Sequence, residues 1–520
     1  MPRLPLYYTL AGLSAPALLF TTVAPSAFSA DSAPTPPAEV KPAATPLPAV
    51  PAPEREMRGV WVATVDNIDW PSRRGLPAAE QQRELLAIFD RAVELKLNTI
   101  VLQVRPACDA LYESKLEPWS EYLTGEMGRA PEPRYDPLAF AVKEAHRRGL
   151  ELHAWFNPYR ALHPSAKGPI AGGHVSKTKP ALVRKYGRHL WLDPGDAAVQ
   201  DHSLAVILDV VRRYDIDGVH MDDYFYPYKE RDTDGKVIPF PDDPSWSRYR
   251  ASGGKLSRDD WRRNNVDRFV KRLHGAIKKE KSWVRFGISP FGIWRPGHPP
   301  QIQGFDQYSE LYADARKWLV EGWVDYFTPQ LYWKIDQAAQ SYPVLLKWWT
   351  EQNPKQRHLW PGNFTSRVGD GSGSQWEPAE LANQVRLTRA QPGAGGNIHF
   401  SMKPLMQNRA AINDHLAGTV YREPALVPAT PWLDSQAPAT PNLEVDHSPT
   451  GERTVTWKPG DAEKPWLWVV QYRRGGKWTT EVRPAGATGC DSPATAGVDY
   501  LAVSAVDRCG NQSEPAVTAL

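Results

Sequence analysis

The stretch Ala198-Val-Gln-Asp-His-Ser-Leu-Ala-Val-Ile-Leu-Asp-Val-Val-Arg-Arg213, followed closely by Gly218-Val-His-Met-Asp222-Asp223, decides the fold. Its first part spaces apolar residues as one face of a helix; the second is a short apolar run of the kind that forms a buried strand. The same alternation recurs along the chain. Strand-type runs are Gly59–Val65, Thr99–Val104, Glu151–Phe156, Gly218–Asp222, Val284–Ser289, Val324–Thr328, His358–Gly362 and Asn397–Ser401. Helical spacing falls between them at Gln81–Lys96, Pro137–Arg148, Ala198–Arg213, Trp261–Lys281, Ser309–Glu321 and Glu377–Thr388. Strands separated by helices pair in parallel, and eight such units over about 370 residues predict an α/β fold, a closed (β/α)8 TIM barrel. An open doubly wound sheet is the competitor. It is disfavoured because Thr64-Val-Asp-Asn-Ile-Asp69 stands where a glycine-rich phosphate loop would follow the first strand.

The chain of 520 residues exceeds what one hydrophobic core usually organises, so a second folded unit is expected. Residues 1–29 read as a signal peptide: Arg3 precedes an apolar run to Val23, and Ala27 and Ser29 mark a cleavage site, with no cysteine nearby. Pro5, Pro16 and Pro25 interrupt the run and argue against a membrane anchor. The expected location is the periplasm or cell envelope, with no integral membrane segment after cleavage. Residues 30–56 form a tether, with eight prolines among the twenty-four residues from Asp31 to Glu54. The barrel spans 57–425. From Pro431 to Leu520 short alternating runs such as Arg453–Trp457, Trp466–Tyr472 and Tyr500–Val506 predict a small all-β sandwich. The Tyr500 run ending in Asp507-Arg-Cys-Gly-Asn511 resembles the last hairpin of fibronectin type III modules. Cys490 and Cys509 are close in sequence and, in an oxidising compartment, are expected to pair; Cys108 is alone. The net charge of +3, without long blocks of one sign, gives no reason to expect nucleic acid as a partner.

In a barrel the C-terminal strand ends converge on one mouth, so chemistry is sought there. Strand two leads through Arg105 and Asp109 into a loop carrying Glu117, Trp119 and Glu121. Strand three ends in Trp155-Phe-Asn157-Pro-Tyr159-Arg160, and strand four in His220-Met-Asp222-Asp223-Tyr224. Strands five and six run into Trp294 and Gln330-Leu-Tyr332-Trp333, and Trp70 follows strand one. Flat aromatic faces suit sugar rings, while amides and guanidinium groups bracket hydroxyls. Trp70, Arg105, Trp119, Trp155, Asn157, Tyr159, Arg160, His220, Tyr224, Trp294, Gln330, Tyr332 and Trp333 are therefore candidate substrate contacts in a carbohydrate groove.

Asp222 and Asp223 are the sharpest feature, since charge at the end of an apolar strand is costly unless used or paired. Alternation places His220 and Asp222 on one side and Asp223 on the other, which favours Asp222 in the mouth. Glycosidic hydrolysis usually requires a second carboxyl group. Asp66 and Asp69 read first as turn residues, which leaves Asp109, then Glu117 and Glu121, as partner candidates. No metal-binding pattern, cofactor motif or Gly-x-Ser-x-Gly appears, so no cofactor or metal is expected.

Arg58-Gly-Val-Trp61 with Asp69-Trp-Pro71, Gln103-Val-Arg-Pro106, Glu117-Pro-Trp-Ser120, Leu123-Thr-Gly125, His153-Ala-Trp-Phe-Asn-Pro-Tyr-Arg160, Leu192-Asp-Pro-Gly195, Asp217-Gly-Val-His-Met-Asp-Asp-Tyr-Phe-Tyr226, Trp261-Arg-Arg-Asn-Asn265 and Pro329-Gln-Leu-Tyr-Trp333 occur in this order. Together they resemble the glycosyl-hydrolase-like 10 family of bacterial envelope proteins over about Met57 to Ile412. The resemblance implies a TIM-barrel glycosidase, with members that cleave peptidoglycan glycan strands, particularly those stripped of stem peptides. It also supports Asp222 and Asp223 as site residues. Where the family often has glycine before the strand-two aspartate, this chain has Cys108. The expectation is an exported glycoside hydrolase acting on a cell-wall polysaccharide. The rivals are a non-catalytic glycan-binding protein and a hydrolase of another exported polysaccharide.

Overall fold

The computed structural model describes residues 47–447, 449 and 453–520. The expected signal peptide and all but the end of the tether lie outside the described residues. The helix Ala197–Arg213 forms as its spacing requires, with the Asp196 carboxylate accepting the Ala198 N–H at 3.0 Å as an N-cap. The expected helix over 309–321 is instead two short ones, Gln307–Glu310 and Ala315–Glu321, the second capped by Asp314.

The barrel strands are β1 Met57–Val62, β2 Thr99–Arg105, β3 Glu151–Phe156, β4 Gly218–Met221, β5 Arg285–Ile288, β6 Tyr326–Phe327, β7 in two pieces at His358–Leu359 and Gly362–Asn363, and β8 Gly396–His399. Each pairs in parallel with the next as far as the first piece of β7. The second piece pairs with β8, and β8 pairs with β1, so the sheet closes on itself. The break in β7 falls at Trp360-Pro361, where proline has no N–H to give the ladder. A three-stranded antiparallel excursion, Arg160–Leu162, Val183–Tyr186 and His189–Leu192, rises from the end of β3.

The barrel interior is filled by Met57, Trp61, Val101, Trp155, Tyr326, Trp360 and Ile398. Rings this large fit only beside glycine. A Cβ on Gly287 would lie 2.1 Å from the Tyr326 ring, and one on Gly218 would lie 2.6 Å from that of His153. Burial in the several cores accounts for much of the tryptophan content: Trp61, Trp70, Trp191, Trp318, Trp349, Trp360, Trp457 and Trp468 are among the largest fully buried side chains.

The C-terminal residues form two antiparallel sheets. One joins β9 Asn442–His447, β10 Arg453–Lys458 and β13 Gly489–Cys490; the other has the order β12 Lys477–Pro484, β11 Leu467–Arg474, β14 Tyr500–Val506, β15 Ala516–Ala519. Every second residue of β11, namely Trp468, Val470 and Tyr472, enters a core with Val455, Trp457, Leu501 and Val503. The opposite face, with Leu467, Val469, Val506 and Trp466, packs on Leu426. Residues Ala49–Leu520 form one compact unit.

The all-β module meets the barrel at the N-terminal strand ends, opposite the mouth. Arg508 pairs with Asp215 at 2.9 Å and with Asp217, just before β4, at 3.1 Å, and its guanidinium lies 4.7 Å from the Trp466 ring centre. Trp432 Nε1 donates to Asp325, just before β6, and Arg285 at the start of β5 pairs with Glu151 at the start of β3. The expected Cys490–Cys509 bridge is corrected here: both thiols are free and buried. Cys490 lies in the sandwich core on β13, whereas Cys509 sits in the turn that bears on the barrel, its carbonyl accepting the Thr430 N–H at 2.7 Å. The two sulfurs therefore face different neighbourhoods.

Burial alone would raise the Asp217 carboxyl, but Arg508 and His146 hold it well below the usual range. Its contribution to stability is present above the unfolded carboxylate pKa and is lost as pH falls through the depressed folded value. Arg508→Ala should destabilise the fold by about 3 kcal/mol at neutral pH, because it strips a buried carboxylate of its main partner. Urea unfolding of the two proteins at neutral and acidic pH checks this, with the difference expected to shrink as Asp217 protonates.

Candidate active site

The mouth at the C-terminal strand ends is a cavity of about 360 Å3. Asp222 and Asp223, immediately after β4, lie on its wall with Trp61, Trp155, Arg160, Tyr224, Gln330 and Tyr332. Asp222 is held from three directions. Asn157 Nδ2 donates to both of its oxygens at 2.7 Å, Trp155 Nε1 donates to Oδ2 at 3.2 Å, and the Tyr224 N–H reaches Oδ1 at 3.4 Å.

The orientation of Asn157 is itself fixed. Its Oδ1 accepts from Gln103 Nε2 at 2.6 Å and from Arg160 Nη2 at 2.7 Å, so only the Nδ2 end is left to face Asp222. Gln103 Oε1 in turn accepts the backbone N–H groups of Thr64 and Val65, both at 2.9 Å. A relay therefore runs from the loop after β1 through Gln103 on β2 and Asn157 after β3 to the carboxylate after β4. Asp223 accepts a short hydrogen bond from the Tyr228 hydroxyl and a second from Gln330, whose Nε2 also donates to the Ser289 carbonyl at 2.9 Å.

Burial raises both carboxyls, and the adjacent Asp223 charge raises Asp222 further, to about 7. All the groups that hold Asp222 are donors, so a proton on it finds no acceptor among them. Arg160 and Asn157 pull in the opposite direction and keep the charged form within reach. A carboxyl group that changes protonation near neutrality inside an aromatic-lined cavity is suited to general acid and base work.

The three partner candidates after β2 are elsewhere. Glu117 is fully engaged: Arg105 Nε and Nη2 grip its two oxygens at 2.7 and 2.5 Å, and His202 adds a third bond at 2.9 Å. Burial would raise it, yet Arg105 and His202 hold it down to about 2. Asp109 is buried, accepts from the Ala107 N–H and the Ser120 hydroxyl, and is raised by burial to about 6. Glu121 ties the loops together through Arg74 at 3.2 Å and the backbone N–H groups of Lys167 and Gly168. None of the three lines the mouth.

Asp66, first read as a turn residue, does line it, from a backbone at φ 52° with Arg74 3.8 Å away. Asp69 is a linking residue, accepting from Ala63 on one side and from Ser401 and Lys403 after β8 on the other. Cys108 adopts φ 53°, a conformation that glycine takes most readily.

The remaining candidate contacts divide in the same way. His220 is part of the buried floor and does not line the cavity, accepting from Trp61 Nε1 at 3.0 Å and bonded to Tyr326 and Ser289. Trp70 is core, its Nε1 donating to the Gln81 carbonyl. Arg105 is the buried partner of Glu117, and Tyr159 packs on Phe269. Trp294 bonds Asp314 and stacks on Trp348; Trp333 packs on Phe291; Trp119 packs on the barrel core. The reading from strand ends missed Gln103, His163, Tyr228, Ser289, Phe291, Phe364 and Phe400, all of which line the mouth. For Gln103 the signal was present: a polar residue inside an otherwise apolar strand.

A closed barrel with paired buried carboxyls among aromatic rings at its C-terminal mouth is the arrangement of a glycosidase-type protein. The chain belongs to the glycosyl hydrolase-like 10 family, whose pattern matches residues 56–378. It is 42% identical over 398 residues to the glycosyl hydrolase YngK of Bacillus subtilis, covering 75% of this chain and 76% of that one. It is 37% identical over 395 residues to the glycosyl hydrolase DigH of Escherichia coli K12, covering 70% of this chain and 86% of the relative. Among solved structures, an α-L-fucosidase from Paenibacillus thiaminolyticus aligns over 74% of this chain and 52% of its own, at 15% identity and a TM-score of 0.46.

The charge on Asp223 raises Asp222, whereas the Asn157 amide lowers it. Asp223→Asn should move the Asp222 titration below pH 7 and Asn157→Leu should move it higher, each followed by carboxyl 13C NMR.

Proposed function

We propose that this protein is an exported glycoside hydrolase that cuts glycosidic bonds in a cell-envelope polysaccharide, the glycan strand of peptidoglycan and in particular strands free of stem peptides. The observation that carries this reading is the Asp222–Asp223 pair, buried and fixed by hydrogen bonds in a cavity walled by Trp61, Trp155, Tyr224 and Tyr332. Such walls offer sugar rings flat apolar faces, while Arg160 and Gln330 offer donors to hydroxyl, amide or carboxylate groups.

In this reading the protonated aspartic acid gives its proton to the leaving glycosidic oxygen and later removes one from the incoming water. The leader at residues 1–29 and the proline-rich tether support export. The all-β module, with its three plus four strands, reads as a fibronectin type III-like spacer mounted on the closed end of the barrel, which leaves the mouth clear of it.

Asp222→Asn keeps the volume and removes the titrating proton. The variant should bind peptide-free glycan strands and release sugar fragments about 1,000-fold more slowly than the unaltered protein. Mass spectrometry of the released fragments reads this out. Binding without release by the unaltered protein would instead assign a glycan-binding role, and cleavage of chitin or xylan alone would exclude peptidoglycan.

A further inference from the structure

Resting on that hydrolase reading, a second question is what attacks the anomeric carbon. A carboxylate nucleophile or base acts from the face of the sugar opposite the acid. Among the described residues three carboxylates line the mouth: Asp222, Asp223 and Asp66. The first two are consecutive after β4, Asp222 held by Trp155 and Asn157 and Asp223 by Tyr228 and Gln330. Asp66 stands at the rim, its side chain more than half exposed and beside Arg74, without the hydrogen bonds that fix Asp222. The three carboxylates after β2 are committed to Arg105, His202, Ser120 and Arg74. Among the described residues, the buried part of the mouth thus holds two adjacent acids and no third one.

Two further features point to a group on the substrate. The Tyr332 hydroxyl belongs to a ring on the mouth wall, close enough to feel the charges of both aspartates, and among the described residues it makes no hydrogen bond. Next to it Trp61, Ala63 and Phe400 make an apolar wall, with the Tyr332 and Phe400 ring centres 5.8 Å apart and those of Trp61 and Phe400 6.0 Å apart. A pair of acids, one free hydroxyl and an apolar wall beside it together match an acetamide: its N–H, its carbonyl oxygen and its methyl group.

We infer that the substrate is a 2-acetamido sugar whose own carbonyl oxygen is the nucleophile, set by the Tyr332 hydroxyl, with one aspartate of the pair accepting the acetamide N–H and the other protonating the leaving oxygen. In the first step the carbonyl oxygen bonds to C1 as the glycosidic C1–O bond breaks, and the proton of the acid goes to the departing oxygen. The positive charge of the resulting oxazolinium ring rests on the N–H held by the neighbouring carboxylate. In the second step the deprotonated acid takes a proton from water, the hydroxide oxygen bonds to C1, the C1–O bond of the ring breaks and the acetamide is restored. Two displacements leave the anomeric configuration unchanged. Tyr332 is a positioning residue in this scheme.

The test uses the full chain and two probes: peptide-free glycan strands, and the same strands chemically N-deacetylated. The expected results are products that retain the anomeric configuration by early-time 1H NMR and cleavage of the deacetylated strands about 100-fold more slowly. Inhibition by a thiazoline fused across C1 and C2 of N-acetylglucosamine is also expected. Tyr332→Phe should lower kcat about 10-fold with KM little changed. Inverted products, equal rates on the two strands, or a glycosyl ester on Asp66 found by mass spectrometry would each overturn the inference while leaving the hydrolase reading intact. Failure of the unaltered protein to cut either strand would overturn both.

Discussion

One amide group decides the geometry of the mouth. Asn157 must present Nδ2 to Asp222 because Gln103 and Arg160 both donate to its oxygen. That constraint places a carboxyl group in a buried, donor-rich setting, where loss of solvation and a neighbouring charge raise it while fixed hydrogen bonds keep its ionised form accessible. The relay begins in the β1 loop, runs through Gln103 on β2 and Asn157 after β3, and ends after β4, so it exists only when these four neighbouring strands are assembled.

Closure has its own chemistry. The two pieces of β7 serve different neighbours, and Asp69 after β1 is bonded to Ser401 and Lys403 beyond β8. Inside, aromatic rings fill the space that glycines leave open, which gives a dense and unyielding floor beneath Asp222. His220 belongs to that floor: bonded to Trp61, Tyr326 and Ser289, and kept neutral by burial, it supports the mouth without entering it. The opposite end of the barrel carries the ion pairs that seat the all-β module. Stability and chemistry are thus divided between the two ends, as barrels usually divide them.

The fold was legible because its signal is local and repeated. Strands at 99–105, 151–156 and 218–221 and helices such as Ala197–Arg213 follow from apolar periodicity alone, and eight repeats leave few topologies. The site was legible in part. Asp222, Asp223, Trp155, Arg160, Tyr224, Gln330 and Tyr332 share the mouth, because a strand end in a barrel points there whatever the loops do. Loop residues were a different matter. Glu117 and Glu121 read as open carboxylates, yet each is captured by an arginine whose proximity in space no spacing announces. Trp70, Trp119 and Trp294 are chemically suited to sugar and are used for packing or local hydrogen bonds. Asp66 was set aside as a turn residue; it has the turn conformation and also lies in the cavity wall.

By itself the sequence determined the order of strands and helices, the family and the location of a paired-aspartate strand end, since each of these depends on residues near one another along the chain. Only the tertiary structure decided that the acids after β2 stay out of the mouth, that Cys490 and Cys509 remain apart and which aromatic rings line the cavity. Those outcomes depend on contacts between segments tens to hundreds of residues apart, and on burial, which turns an ordinary aspartate into a group that titrates near neutrality.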